Sequence, residues 1–410
     1  MSNDRYDGLT RREFIRAAGG SAAVVGMGAL TGVAPGQVQT RPADRSKGKP
    51  KYPKPVLPYG MLGRTEYPVT LISFGAILIR EKLGTRVVKA GIDRGINLLH
   101  TSASYTKGNS IQAIGELFKA EKGYRDKVFL CLKSYHPEKE SEIDEMLAAL
   151  STDHVDAIFT EFHEGRPERL EALQAQQDKL KKKGKIRHTG FVCHGDMNGV
   201  MELILAKAPE YFDVTLMSMS MLPPPEKRKP GAAEDAGQRF LKNLKALRGK
   251  GVGILAMKSG ARSAVTKGAE VFLPHARNVL EGGADSVLAS MDTFDQVEMV
   301  KGLDLRSPHA TPKDKKAEAD FQRSRGDVCL MCGDCTKACP HGIPVSDLMR
   351  VRMYHQEYGW ADHARAELAT LGVEAGTLAS VCAGCIACSR ACPVNLASAR
   401  TVHGVAGLLA

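Results

Sequence analysis

The chain has 410 residues, 43% of them hydrophobic and 25% charged, which is enough apolar material to bury a full core in two folded units. Its formal net charge is +11, but the excess is scattered over Arg41–Lys54, Lys179–Arg187 and Glu226–Pro230. With only 6% aromatic residues, stacking platforms are scarce, so composition argues against a nucleic-acid binder and for a solvated surface.

The first element is a basic head, Thr10-Arg11-Arg12-Glu13-Phe14-Ile15 with Arg16 behind it, followed from Ala17 to Ala34 by a Gly- and Ala-rich stretch without a single charge. A membrane-spanning helix would be richer in Leu, Ile and Phe across about 20 residues. A disordered basic arm is the alternative. The phrase resembles a twin-arginine export signal, Ser/Thr-Arg-Arg-x-Phe-Leu-Lys. The resemblance implies passage through the twin-arginine translocase to the periplasm or cell envelope, a route that carries proteins already folded. Pro35 disfavours cleavage after Ala34, so residues 1–36 are expected as a signal that can stay on as an anchor, with 37–54 as a basic linker. Membrane contact is expected only through that segment or a partner.

Between residues 55 and 305 the pattern becomes strand-then-helix. The apolar runs VTLISFGAI, INLLHTS, KVFLCLKS, VDAIFTEF, IRHTGFV, FDVTLMSM, VGILAMKS and ADSVLASM alternate with charged, helix-favouring segments. Eight such runs predict a (β/α)8 barrel. A doubly wound sheet would want a Gly-rich fingerprint after an early strand, and none is present. Cys131 is expected as a buried structural thiol, and the Met-rich LMSMSML (Leu216–Leu222) as barrel lining. The charged, turn-rich tract 306–326 reads as a linker.

LPYGMLGRTEYPVTLISFG and DRGINLLHTSASYTKGNSIQAIGELF resemble the opening segments of the aldo/keto reductase family, and VFLCLKS, VDAIFTEFH and KKGKIRHTGFVCHG extend the similarity over most of the barrel. The resemblance implies a carbonyl-reducing barrel that binds NADPH, with Tyr105 as proton donor, Lys133 beside it and His163 orienting the substrate. The family's Asp is replaced by His100, so Lys133 is expected to lack a carboxylate partner, a charge-assisted bond worth roughly 1.5–3 kcal/mol. Other departures surround the nicotinamide site. His194 ends Gly190-Phe191-Val192-Cys193-His194 where the family has Gly-x-Ser-Asn or Gly-x-Ser-x-His. Leu216–Ser220 replaces QVPYN, and the late phosphate grip is missing, leaving Lys258 as the candidate phosphate contact. Three losses around one ligand argue against NADPH. Cys193 next to His194 mimics a nucleophile–base pair, but neighbours at a strand end face opposite ways.

Eight of the ten cysteines close the chain in two copies of one phrase, CLMCGDCTKACP and CAGCIACSRACP. Cys329, Cys332, Cys335 and Cys339, like Cys382, Cys385, Cys388 and Cys392, follow Cys-x2-Cys-x2-Cys-x3-Cys-Pro, the spacing that wraps thiolates around a [4Fe–4S] cubane. Zinc and disulfides are the alternatives, but zinc needs only pairs and a disulfide framework seldom repeats a four-cysteine phrase. Two clusters are therefore expected. By the ferredoxin rule the fourth cysteine of each run serves the other cluster, grouping Cys329, Cys332, Cys335 and Cys392, and Cys382, Cys385, Cys388 and Cys339. The long insert between the runs offers helix starts at Ser346 and Ala361, with Leu348, Val351 and Tyr354 on one face. Residues 327–400 thus form a small, mostly helical dicluster ferredoxin-like domain.

Clusters are built in the cytoplasm and would be lost from an unfolded chain, so the export signal and the cysteines account for each other. Nicotinamide delivers two electrons as hydride while each cluster passes one, so joining them takes a flavin or quinone-like intermediary. The expectation is an exported oxidoreductase acting on a small carbonyl or quinone-like molecule. The alternative is a non-catalytic electron-transfer subunit whose barrel docks a membrane redox partner protein.

Overall fold

The computed structural model describes residues 53–134, 139–162, 165–219, 232–325 and 328–407. The expected signal and nearly all of the basic linker lie outside the described residues, as does His163. A hairpin of β1 (Tyr59–Met61) and β2 (Pro68–Thr70) precedes eight parallel strands. These are β3 (Ile72–Gly75), β4 (Leu98–Ser102), β5 (Phe129–Ser134), β6 (Val155–Phe162), β7 (Ile186–Cys193), β8 (Val214–Ser218), β9 (Gly253–Met257) and β10 (Ser286–Ala289). They close in chain order, β10 pairing back onto β3, so each of the eight apolar runs supplies one barrel strand.

Strand alternation sorts the side chains. Leu98, Phe129, Cys131, Ala157, Phe159, Val192, Val214, Leu216 and Leu255 fill the inside of the barrel, while Leu130, Leu132, Ile158, Phe191, Cys193 and Met217 pack outward against the helices. The methionines of the Met-rich run therefore depart from expectation: Leu216 lines the barrel, but Met217 and Met219 belong to the layer between barrel and helices. The hairpin plugs the N-terminal end with Leu62, Tyr67 and Val69. Gly63, at φ +49, makes this closure possible, since a Cβ there would lie 2.2 Å from the Gly253 nitrogen.

The tract expected as a linker is largely a helix, Pro312–Ser324. It begins at a capping box in which the Thr311 hydroxyl accepts from the Asp314 amide and the Asp314 carboxylate accepts from the Thr311 amide. It packs on the barrel through Phe321, and its Glu318 holds His275 at 3.0 Å. Beyond it, short helices form a module that extends past residue 400 to the helix Ser398–Ala406. Helices Val345–Arg352 and Ala361–Thr370 form its core, with Leu348, Val351 and Tyr354 buried together. Between them Met353–Glu357 makes one π-helical turn.

Candidate active site and cysteine quartets

The module lies on the barrel's C-terminal mouth, the rim where barrel enzymes place their reacting groups. Leu330, Met331 and Cys332 join the barrel's outer core. Lys337 reaches Asp196 beyond β7 at 2.7 Å, and Gly333, at φ +83, lies against the same residue. Lys107, in the turn after β4, pairs with Asp362 of the module.

Two residues beyond the inner barrel layer, the same alternation turns from apolar to ionisable. Leu98 is followed inward by His100, Cys131 by Lys133, Phe159 by Glu161 and Val192 by His194, all four no more than 3% exposed. Cys131 thus shares its side of β5 with Lys133, while Cys193 and His194 face opposite ways. Tyr105, in the turn Tyr105–Gly108 that follows β4, is 7% exposed, with its ring 5.7 Å from that of His100.

The structure corrects the expectation that Lys133 lacks a carboxylate. Its ammonium lies 3.3 Å from Oε2 of Glu161, and His194 Nδ1 donates to Oε1 of the same side chain. One buried carboxylate on β6 therefore ties together residues from β5 and β7. His194, expected at the cofactor, instead faces this ion pair. His100 is held neutral, its pKa pushed down to about 3 by burial and then by the Lys133 charge, and its Nε2 has no hydrogen-bond partner among the described residues. Burial raises the Tyr105 phenol well above its ordinary value, and the acidic groups Tyr354, Glu161 and Glu367 push it the same way. Tyr105 therefore rests as the neutral phenol, with its proton in place.

The module adds a second layer that sequence reasoning did not place. Arg350, on Val345–Arg352, is 3% exposed and lies 3.8 Å from Glu161 and 3.1 Å from Asp347, while its Nη1 donates to Glu367. Lys258, just past β9 in the left-handed conformation at φ +50, does not stand open for a phosphate: its Nζ donates to the Tyr354 hydroxyl at 3.1 Å. Burial depresses the Lys258 ammonium, and the charges of Arg350 and Lys133 act in the same direction. Tyr354 is 2% exposed, with His363 packed edge-on at 4.5 Å.

All ten cysteines are free thiols. Cys329, Cys332, Cys335 and Cys392 line one small cavity together with Ser346 and Met349. Backbone amides turn toward its sulfurs, Met331 N to Cys329 at 3.4 Å and Leu396 N to Cys392 at 3.3 Å. The remaining four are also neighbours: burial raises the Cys382 thiol, and Cys339, Cys388 and Cys385 add to it in turn. The fourth cysteine of each run thus lies with the other run's first three. Cys335 and Cys388 meet in one apolar core, so the two quartets adjoin.

Eight parallel strands, with a lysine, a tyrosine and buried ionisable groups gathered at the C-terminal mouth, define a (β/α)8 barrel with a candidate active site where such barrels place theirs. Residues 79–274 match the aldo/keto reductase family. The match ends ahead of the cysteine-rich module. Methylglyoxal reductase YeaE of Escherichia coli (strain K12) is 29% identical over 131 residues, which span 30% of this chain and 44% of that protein. Among solved structures, the apo form of aldo-keto reductase AKR11C1 from Bacillus halodurans aligns with a TM-score of 0.50 at 17% identity, covering 68% of this chain and 99% of that one. An aldo/keto reductase from Klebsiella pneumoniae in complex with NADP and acetate aligns at 0.49 and 17%, covering 65% and 96%. Among the described residues no helix is long and apolar enough to cross a membrane.

Proposed function

We propose that this protein is an exported iron–sulfur oxidoreductase whose barrel reduces a carbonyl or quinone-like substrate with electrons relayed through the cysteine module rather than with hydride from NADPH. The observation that carries this reading is the helix Val345–Arg352. Its Ser346 and Met349 line the cavity of the first quartet, and its Arg350 stands against Glu161 in the barrel mouth. One short element thus joins the thiols to the reacting groups.

The residues present fit two [4Fe–4S] clusters: two quartets of free thiols, the first around a cavity and with amides aimed at its sulfurs. Such clusters supply electrons one at a time when bound. Cys332, Cys335 and Cys392 are buried, whereas Cys339, Cys382 and Cys385 are only part-buried, so a cluster held by the second quartet would lie nearer solvent than one held by the first. The module brings Arg350 to Glu161 and Tyr354 within electrostatic reach of Tyr105, which supports a mouth occupied by protein where a dinucleotide would have to enter. Lys258, the candidate phosphate contact, is engaged with Tyr354. Tyr105, kept protonated by burial, is the proton donor to the substrate oxygen, and Glu161 fixes Lys133 and His194 around it.

The twin-arginine phrase supports a working site in the periplasm or cell envelope, after assembly in the cytoplasm. The test is anaerobic purification with an iron count, followed by reduction of menadione or a small ketone with viologen as electron donor and, separately, with NADPH. Viologen-driven turnover that drops about 100-fold or more in Tyr105→Phe is the expected result. Iron-free protein, or turnover with NADPH alone, overturns the proposal. Viologen-dependent electron transfer indifferent to Tyr105→Phe would favour a docking subunit instead.

A further inference from the structure

We infer that Tyr354 of the cysteine module, hydrogen-bonded to Lys258 of the barrel, is a second proton donor to the substrate, working alongside Tyr105. This rests on the reading above and follows from its stoichiometry. When hydride reduces a carbonyl, the hydride brings one hydrogen with both electrons, so a single phenol completes the alcohol. When the same carbonyl receives two electrons from one-electron carriers, both hydrogens arrive as protons: C=O + 2e⁻ + 2H⁺ gives CH–OH, and a quinone takes one proton on each oxygen. A barrel that has exchanged hydride for separate electrons needs a second acid.

The mouth contains one. Tyr354 and Lys258 come from opposite sides of the seam, and their 3.1 Å hydrogen bond is a phenol–ammonium pair. The two phenols feel one another, the charge of Tyr354 being the first neighbour to act on Tyr105 after burial. Both halves of the pair sit on uncommon backbone. Lys258 is a non-glycine residue at φ +50, and Tyr354 lies in the π-helical turn Met353–Glu357, closed by the Tyr358 amide bonding to the Met353 carbonyl at 3.2 Å. Such turns are rare and concentrate at functional sites, because the extra residue redirects one side chain at a cost in helix stability. Apolar burial would have been served equally by Phe. The hydroxyl and its ammonium partner are what the backbone has been bent to bring together.

In the step proposed, the Tyr354 O–H bond breaks as its proton passes to the substrate, and the Lys258 N–H bond breaks to restore the phenol. Lys258 regains its proton from solvent. The electrons come from the reduced one-electron carriers of the module, and nothing else is consumed.

The test compares Tyr354→Phe and Lys258→Met in the loaded protein, with viologen as donor and menadione as acceptor. Each should retain its iron and its reduced-cluster electron paramagnetic resonance signal while turnover falls by about 100-fold, in keeping with loss of one general acid. A readout without turnover is menadione binding to the oxidised protein by calorimetry. Tyr354→Phe should weaken it roughly tenfold through one lost hydrogen bond. Wild-type turnover within threefold in both variants, with unchanged binding, overturns the inference while leaving the relay intact. If the wild type does not turn over with viologen, the underlying reading has failed instead. Should Tyr354→Phe lose iron, Lys258→Met, which lies in the barrel, decides alone.

Discussion

Glu161→Gln tests how the barrel mouth is held together. The carboxylate is 1% exposed and serves the Lys133 ammonium at 3.3 Å, the Arg350 guanidinium at 3.8 Å and the His194 ring. At 3.3 Å, two unit charges interact by about 5 kcal/mol at an effective dielectric of 20. Desolvation offsets much of this in the intact pair, but removing one partner strands the other, at a cost of roughly 3–5 kcal/mol. Glutamine keeps the shape and still accepts a hydrogen bond, so a loss near the lower end, about 3 kcal/mol, is expected. The assay is urea unfolding followed by far-ultraviolet circular dichroism on Glu161→Gln, Lys133→Met and the double variant. With both charges gone no ion is stranded, so the double variant should be more stable than the sum of the single losses by about 2 kcal/mol. Losses that add to within about 0.5 kcal/mol would refute the pairing.

Crossed ligation predicts that Cys392→Ser and Cys329→Ser lose the same cluster and give one electron paramagnetic resonance spectrum, while Cys339→Ser and Cys382→Ser give the other; grouping by run instead would show the cavity is misassigned. His100 makes acid stability steeper. Its folded pKa, about 3, lies below the ordinary 6.5, so between these values the unfolded chain binds a proton that the native one refuses. Its contribution is complete above about pH 6.5 and declines as pH falls toward 3. His100→Asn should flatten the slope of stability against pH by about one proton in that window, read from urea midpoints. Gly333→Ala forces a Cβ to 3.1 Å from Asp196 at φ +83 and should cost roughly 1–2 kcal/mol, measured as a lower melting temperature of the loaded protein.

The barrel was legible because each strand is bounded and apolar, and the quartets because the fourth cysteine of each run follows a fixed spacing. Glu161 was passed over for a reason that counting by twos would have removed. The search for the family's histidine went directly to His163, outside the described residues, and passed over Glu161, which inward alternation from Ala157 through Phe159 reaches first. The helix Pro312–Ser324 announced itself by Thr311, Pro312 and Asp314, a start signal hidden among residues that also make turns. Tyr354 was read with Leu348 and Val351 as part of an apolar face and Arg350 was not singled out, since only the docking of module on barrel brings them to Lys258 and Glu161.

On the proposed reading, that docking links metal loading to the state of the barrel. The first quartet draws three thiols from Cys329–Cys335 and the fourth from Cys392, near the end of the module, so filling it closes almost the whole module into one loop. Small metal-dependent domains take much of their folding free energy from the metal. The helix Val345–Arg352 lies inside that loop, with Met349 at the cavity and Arg350, the next residue, at Glu161. On that reading, apo protein would lack the loop constraint that helps hold Arg350 against Glu161 and Tyr354 against Lys258. On the proposed reading, loading is therefore the step that completes the reacting site, and a route that exports only finished folds delivers the barrel already closed.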